Sequence, residues 1–345
     1  MKKWLFLLSL VIIISFMILY FCKSSQNSNQ ALSSFSNLEI RLASQYGLQY
    51  APVYVTKELK LLEKYLPGIK VKWGTFGGGS AIVEALAGNH IDIGFMGIPP
   101  ALIAIDKGLP VKIAQGISVP PNELMVNSKS LTKLDDFSPQ DKIAVPGIGS
   151  IQHILLSMAA KKYLGNAHAL DNNIITMKNP DAFSALLNKH SIVAHFTVMP
   201  YIKREEKSGF NTILSGHTIF GDASIISITT ANFHNNPTLY AGFIAAFNEA
   251  IFLINKRDAR AIKIIQKTEN LSDQEIIEYL KWNGTNYSSN IYGLMGLANY
   301  MFENNYIKNE PILENYIWEN ASSMIGRRMG NKSPTEQMLM GNNVK

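Results

Sequence analysis

The strongest constraint on this chain is one arrangement repeated along it: a short apolar run, a turn of small residues, then a segment with helical spacing. It occurs at Val71 to Ser80, where Gly77, Gly78 and Gly79 separate the run from a helical pattern. It returns at Ile91 to Pro100 and at Ile143 to Ser150, and more loosely at Val193 to Pro200. Strands that feed helices through tight turns form parallel α/β sheets, and ligands gather at the carboxyl edge of such sheets. Each turn also leaves unpaired N–H groups at a helix start, where they can hold an anion or a polar molecule. The pattern predicts a binding cleft built mostly of main chain.

The two ends are of a different kind. Lys2 and Lys3 precede Trp4 to Cys22, a stretch without charge and with only two serines. A basic start followed by an apolar core is an export signal, and this one is also long enough to span a bilayer. Cys22 is the only cysteine and stands where bacterial lipoproteins carry their acylated residue, although Phe21 before it is large for that processing. Lipid anchor and uncleaved helix stay open as alternatives, and either places the body outside the cytoplasmic membrane. A single cysteine excludes an internal disulfide framework and a cysteine-based metal site. The formal charge of +6 resides in the ends: three lysines and no acid up to residue 30, and four basic against one acidic residue from 326 to 345. The body between them is neutral, which argues against nucleic-acid binding.

Along that body, strands are expected at Leu38–Ser44, through Trp73, at Ile91–Phe95, Val111–Ser118 and Glu123–Asn127. Helices are expected at Ala51–Leu62, Ser80–Ala87 and Pro99–Lys107. A second αβ series follows from Lys142 to Leu214, and Ala223–Thr230 reads as a returning strand. From Pro237 onward the pattern is entirely helical, ending in a helix from Pro311. The organisation is therefore 1–22 signal or anchor, 23–37 flexible tether, 38–124 plus 226–325 a discontinuous first lobe, 125–225 an inserted second lobe, and 326–345 a disordered tail.

The chain resembles the extracytoplasmic substrate-binding proteins of ABC importers, in the nitrate/sulfonate/taurine branch that includes binders of thiamine-pyrimidine precursors. The resemblance covers 38 to about 320. It rests on Tyr50 to Leu59, Phe76 to Ala81, Asp92 to Gly97, Asp135-Asp136-Phe137 before Lys142 to Pro146, and Gly149 to His153, in that order. It implies a two-lobed type II periplasmic-binding-protein fold, an α/β architecture with the ligand cleft between lobes and a helical C-terminal region. It also implies delivery of a small molecule to a permease with its ATPase. Some pyrimidine-making relatives use a cysteine-rich motif, which this chain lacks.

Candidate ligand contacts follow from the turns. Gly78, Gly79 and Ser80 open the second helix; Met96, Gly97 and Ile98 form the next turn; Ser150 and His153 open the first helix of the second lobe. His195 and Thr197, with Tyr201 beyond them, end a strand there, and His195 is placed opposite His153 across the cleft. Gln45, Tyr46 and Tyr50 flank the first turn and suit a planar ligand by stacking. Asp222, just before the returning strand where the chain crosses back to the first lobe, can receive a ligand amine. Gly147 to Gln152 imitates a dinucleotide fingerprint, but Gln152 occupies the place of the third glycine. No nucleophile or acid–base pair clusters at the turns, so neither a catalytic residue, a metal nor a cofactor is expected. The reading is a monomeric, membrane-tethered, non-enzymatic receptor for a small anion or polar organic molecule such as nitrate, a sulfonate or taurine. The alternative is a binder or enzyme for a thiamine-pyrimidine precursor.

Overall fold

Among the described residues, ten strands form in the order that the apolar runs foretell: β1 (Glu39–Ser44), β2 (Lys70–Thr75), β3 (Ile93–Gly97), β4 (Val111–Ser118), β5 (Glu123–Val126), β6 (Ile143–Val145), β7 (Ile174–Thr176), β8 (Ala194–Thr197), β9 (Asn211–Ser215) and β10 (Ile225–Thr230). The computed structural model describes residues 35, 38–188, 191–281 and 286–324. The expected anchor, Cys22, nearly all of the tether and the tail lie outside the described residues. The strands make two five-stranded sheets, β2-β1-β3-β10-β4 and β7-β6-β8-β5-β9. In the first, β10 runs antiparallel to β3 and β4, while β1 is parallel to β2 and β3. The chain therefore leaves the first sheet after β4 and re-enters it at β10.

The main helices are α1 (Ala51–Glu58), α2 (Leu61–Tyr65), α3 (Gly79–Ala87), α4 (Ile98–Asp106), α5 (Ile151–Leu164), α6 (Asn179–Leu187), α7 (Tyr201–Lys207), α8 (Pro237–Asn255), α9 (Ala259–Glu269), α10 (Asp273–Lys281) and α11 (Leu294–Glu303). Helix α8 is long and apolar enough to cross a membrane, but half of its apolar window is buried against the first lobe. Phe243 and Phe247 on it stack around Phe95 of β3, with ring centroids 6.3 and 4.8 Å from Phe95. Aromatic pairs of this kind add about 0.5–1.5 kcal/mol each beyond the area they bury.

Several local expectations are corrected. The helix expected over Ala51–Leu62 is two helices, because Lys60 adopts a left-handed conformation (φ 52) that breaks the ladder. The break turns Leu61 and Leu62 into the core. Strand β3 ends two residues beyond the expected Phe95, so α4 begins at Ile98 with both prolines in its first turn, where a missing N–H costs nothing. Helix α11 starts only after Gly293, at φ 81, rather than at Asn290. The helix expected from Pro311 is a single turn, Leu313–Tyr316. The region after Pro237 is not wholly helical either: Asn286 and Ile317 form bridges to Val119 and Ile113 beside β4.

Candidate functional site

The small-residue corners of the two lobes do point at each other, and they meet. Gly78 is the N-cap of α3, in extended conformation, and lies so close to Pro146 that a methyl group there would collide with the Pro146 carbonyl. Gly97 faces Ile151: an added Cβ would stand 2.5 Å from the Ile151 side chain. Gly149 faces Ile103 of α4, and the Ser80 hydroxyl lies over Gly147. A main-chain bond joins the lobes as well, from the Leu48 amide to the Met199 carbonyl at 2.9 Å. The expected amide-rich corners thus pack on polypeptide, because the glycines let main chain approach main chain. That corrects the picture of amides converging on open space at this point.

The open space lies beside the corners. A cavity of about 480 Å³ is walled on the first-lobe side by Gln45, Tyr46, Tyr54, Thr75 and the end of α9 at Thr268–Asn270. On the second-lobe side it is walled by Phe183 of α6 and by Tyr201 and Arg204 of α7. Of the residues anticipated from sequence, Gln45, Tyr46 and Tyr201 line it. The Gln45 amide donates to the Phe95 carbonyl at 3.2 Å, which fixes it at the carboxyl end of the first sheet.

The remaining candidates lie outside the cavity lining. Ser150 caps α5, its hydroxyl accepting from the His153 amide at 3.2 Å. His153 Nδ1 accepts from the Gly149 amide at 2.8 Å, and burial pushes its imidazole below the usual histidine range. Its ring meets Tyr306 edge-on at 5.5 Å. Tyr50 is buried and its hydroxyl pKa is raised by that burial. Met96 and Ile98 are fully buried. Asp222 lies at the crossing, 3.4 Å from His217. His195 does not oppose His153 across the cleft: it is wholly buried, with Nδ1 2.6 Å from Glu205 Oε1 and Nε2 3.2 Å from Asn179 Oδ1. Thr197 is equally buried, and its hydroxyl has no partner among the described residues.

Arg204, Glu269, Tyr54 and Phe183 are among the lining residues that the sequence reading missed. The Arg204 guanidinium lies over the Tyr201 ring at 5.4 Å and donates across the lobes to the Glu269 carbonyl at 2.5 Å. The Tyr54 hydroxyl stands 2.8 Å from Glu269 Oε1 and 3.0 Å from the Gly47 carbonyl. Burial pushes the Glu269 carboxyl up, while the Tyr54 hydrogen bond and the Arg204 charge pull it down. Arg204 falls three residues after Tyr201 on one helix face, so the tyrosine was a usable signal for it. Nothing local announces that the end of α9 reaches the same place.

The geometry has counterparts among known proteins. The taurine-binding periplasmic protein of Escherichia coli (strain K12) is 30% identical over 143 residues, 41% of this chain and 43% of that protein. The match thus spans less than half of that relative's length. The alkanesulfonate-binding protein of Xanthomonas axonopodis pv. citri, solved bound to MOPS, superposes with a TM-score of 0.68 at 18% identity, over 83% of this chain and 99% of that one. The periplasmic aliphatic sulphonate-binding protein of Escherichia coli gives 0.64 at 23% identity, over 83% and 99%. These likenesses show the periplasmic-binding-protein fold. A family model described as the NMT1-like family matches residues 38–266, a stretch that runs through both sheets and into α9, and the chain belongs to that family.

Proposed function

We propose that this protein is the solute-capturing component of an ABC importer, and that the cavity between its lobes holds a small organic anion. The observation that carries the reading is a space of about 480 Å³ walled by both lobes, with Arg204 and four aromatic rings in its lining. Pockets of roughly 300–1,000 Å³ accommodate small organic ligands. The Arg204 guanidinium would pair with the anionic group, and Tyr46, Tyr201 and Phe183 would cover the carbon skeleton. The volume and the rings favour an alkanesulfonate or an aminosulfonate such as taurine over bare nitrate. In this reading nothing is chemically transformed. The ligand is held and released to a permease with its ATPase, and the N-terminal apolar segment tethers the monomer outside the cytoplasmic membrane.

Thermal-shift and calorimetric titration with taurine, ethanesulfonate, nitrate and a hydroxymethylpyrimidine tests this. A ligand selective for the folded form raises the apparent midpoint. Arg204→Met keeps the aliphatic stem and removes the charge, and should weaken sulfonate binding by about tenfold to a hundredfold. No response to any of the four compounds, or unchanged binding in Arg204→Met, would overturn the assignment.

A further inference from the structure

The second-lobe wall of the cavity consists of two short helices that one buried imidazole bridges. Phe183 is on α6 and Tyr201 and Arg204 are on α7, with the Phe183 and Tyr201 rings 6.1 Å apart. Beneath them His195 reaches one helix with each ring nitrogen: Nδ1 to Glu205 of α7 at 2.6 Å and Nε2 to Asn179 of α6 at 3.2 Å. Glu205 is next to Arg204 and one turn beyond Tyr201, and Asn179 is one turn before Phe183.

This arrangement is a poor device for stability alone. His195 and Glu205 are fully buried, and Glu205 Oε2 has no hydrogen-bond partner among the described residues. A buried carboxylate with an unsatisfied oxygen is costly, and well-packed apolar residues in place of such a pair are often neutral or stabilising. What the pair supplies that apolar residues do not is directional spacing between α6 and α7. We infer that His195, Glu205 and Asn179 are positioning residues for the cavity, a strut that sets Phe183, Tyr201 and Arg204 at ligand-binding distance. The inference rests on the cavity being the ligand site.

Two readouts separate the strut from that premise: taurine affinity, and amide hydrogen exchange of 179–187 and 201–207 in the ligand-free protein. The double variant His195→Leu/Glu205→Leu replaces the pair by apolar groups and should keep the thermal midpoint near that of the unmodified protein. Its taurine affinity should fall by about tenfold, and exchange in both helices should rise by a similar factor. Glu205→Gln still offers an N–H to Nδ1, and should stay within about twofold of the unmodified protein in both readouts. Asn179→Ala removes one end of the strut at a helix start and should cost about threefold in affinity without unfolding. If the unmodified protein binds none of taurine, ethanesulfonate, nitrate and the hydroxymethylpyrimidine, the site assignment fails and the exchange readout alone decides the strut. Normal protection of α6 and α7 in the double variant, or loosening by Glu205→Gln as large as by the double variant, would refute it.

Discussion

Between Gly78 and Pro146 the lobes touch through main chain, whereas around Tyr46 and Arg204 they enclose a cavity and meet through side chains, Arg204 donating to the Glu269 carbonyl. The first zone depends on what is missing, a Cβ, and allows close approach. The second depends on long side chains that reach from separate helices toward one space. The contrast divides the labour: glycine corners let the two halves close, and the aromatic and charged wall determines what can be enclosed.

Putting a side chain into the first zone should have the largest effect. Gly78 has an extended backbone (φ −162), so a β-branched residue fits the local conformation and only the approach of the other lobe is obstructed. Gly78→Val would drive its Cβ into the Pro146 carbonyl, and neither main chain can give way without separating the lobes. Overpacking between main chains typically costs 1–3 kcal/mol or more, so taurine affinity should fall by about thirtyfold or further. Small-angle scattering should show a more open particle. Gly77→Ala is the control, since its Cβ would meet only the Lys178 Cβ at an ordinary 3.5 Å. Equal damage from both substitutions would mean that the corner is sensitive to any side chain, and the lobe-closure explanation would be lost.

The same contrast explains what could be read in advance. The strand–glycine–helix punctuation correctly foretold the paired lobes, and Gly78, Gly97 and Gly149 are indeed at the meeting of the two. Those features are local: a glycine at a helix start has the same meaning wherever the helix packs. The cavity wall was only partly legible, through Gln45, Tyr46 and Tyr201, because it is assembled by tertiary packing. Glu269 is 65 residues from the Arg204 that donates to its carbonyl, and 215 from the Tyr54 that contacts its carboxyl. His195 was misplaced for a similar reason. Its partner Glu205 is ten residues away on the next helix, and that turn buries the ring instead of exposing it at the strand end.

A third contact separates the lobes' closure from their selectivity, and its loss should have a middling effect. Ser157 of α5 lies 2.7 Å from the Tyr300 hydroxyl and accepts from the Tyr306 hydroxyl at 2.9 Å, while Lys161 donates to Asn304 Oδ1 at 3.0 Å. The segment carrying Tyr300 to Tyr306 is fixed to the first lobe, because Asp106 of α4 accepts from the Lys308 and Asn309 amides at 3.0 and 2.8 Å. Each such bond contributes about 0.5–1.5 kcal/mol net. Ser157→Ala and Tyr306→Phe should therefore each weaken every ligand by about threefold to fivefold, without changing the preference among sulfonates. A change in preference would move this cluster from closure to selectivity, and titrations against taurine and ethanesulfonate decide between the two.

The smallest effect is expected from protons. At the glycine corner His153 accepts from the Gly149 amide and burial lowers its pKa, whereas α7 and the strand beside it carry carboxyls whose pKa burial raises. Glu123 of β5 is the clearest: burial pushes its carboxyl up to about 7, against a downward pull from the Ser215 hydroxyl and Lys203 and a further upward push from Glu206. The folded state thus holds a proton that an unfolded carboxylate, with a pKa near 4.5, has already released. Stability from this group is fully present below about 4.5 and is lost as pH rises through about 7, since the folded state binds more protons in that window. Because Glu123 is partly in water, screening reduces the effect to about 1 kcal/mol. Glu123→Gln keeps an acceptor for the Ser215 hydroxyl, which donates at 3.0 Å in the native protein, and removes the titration. Its thermal midpoint should exceed that of the unmodified protein by about 2 °C at pH 8, and the two should converge near pH 4.5. Parallel curves across that range would place the Glu123 carboxyl among ordinary solvated acids.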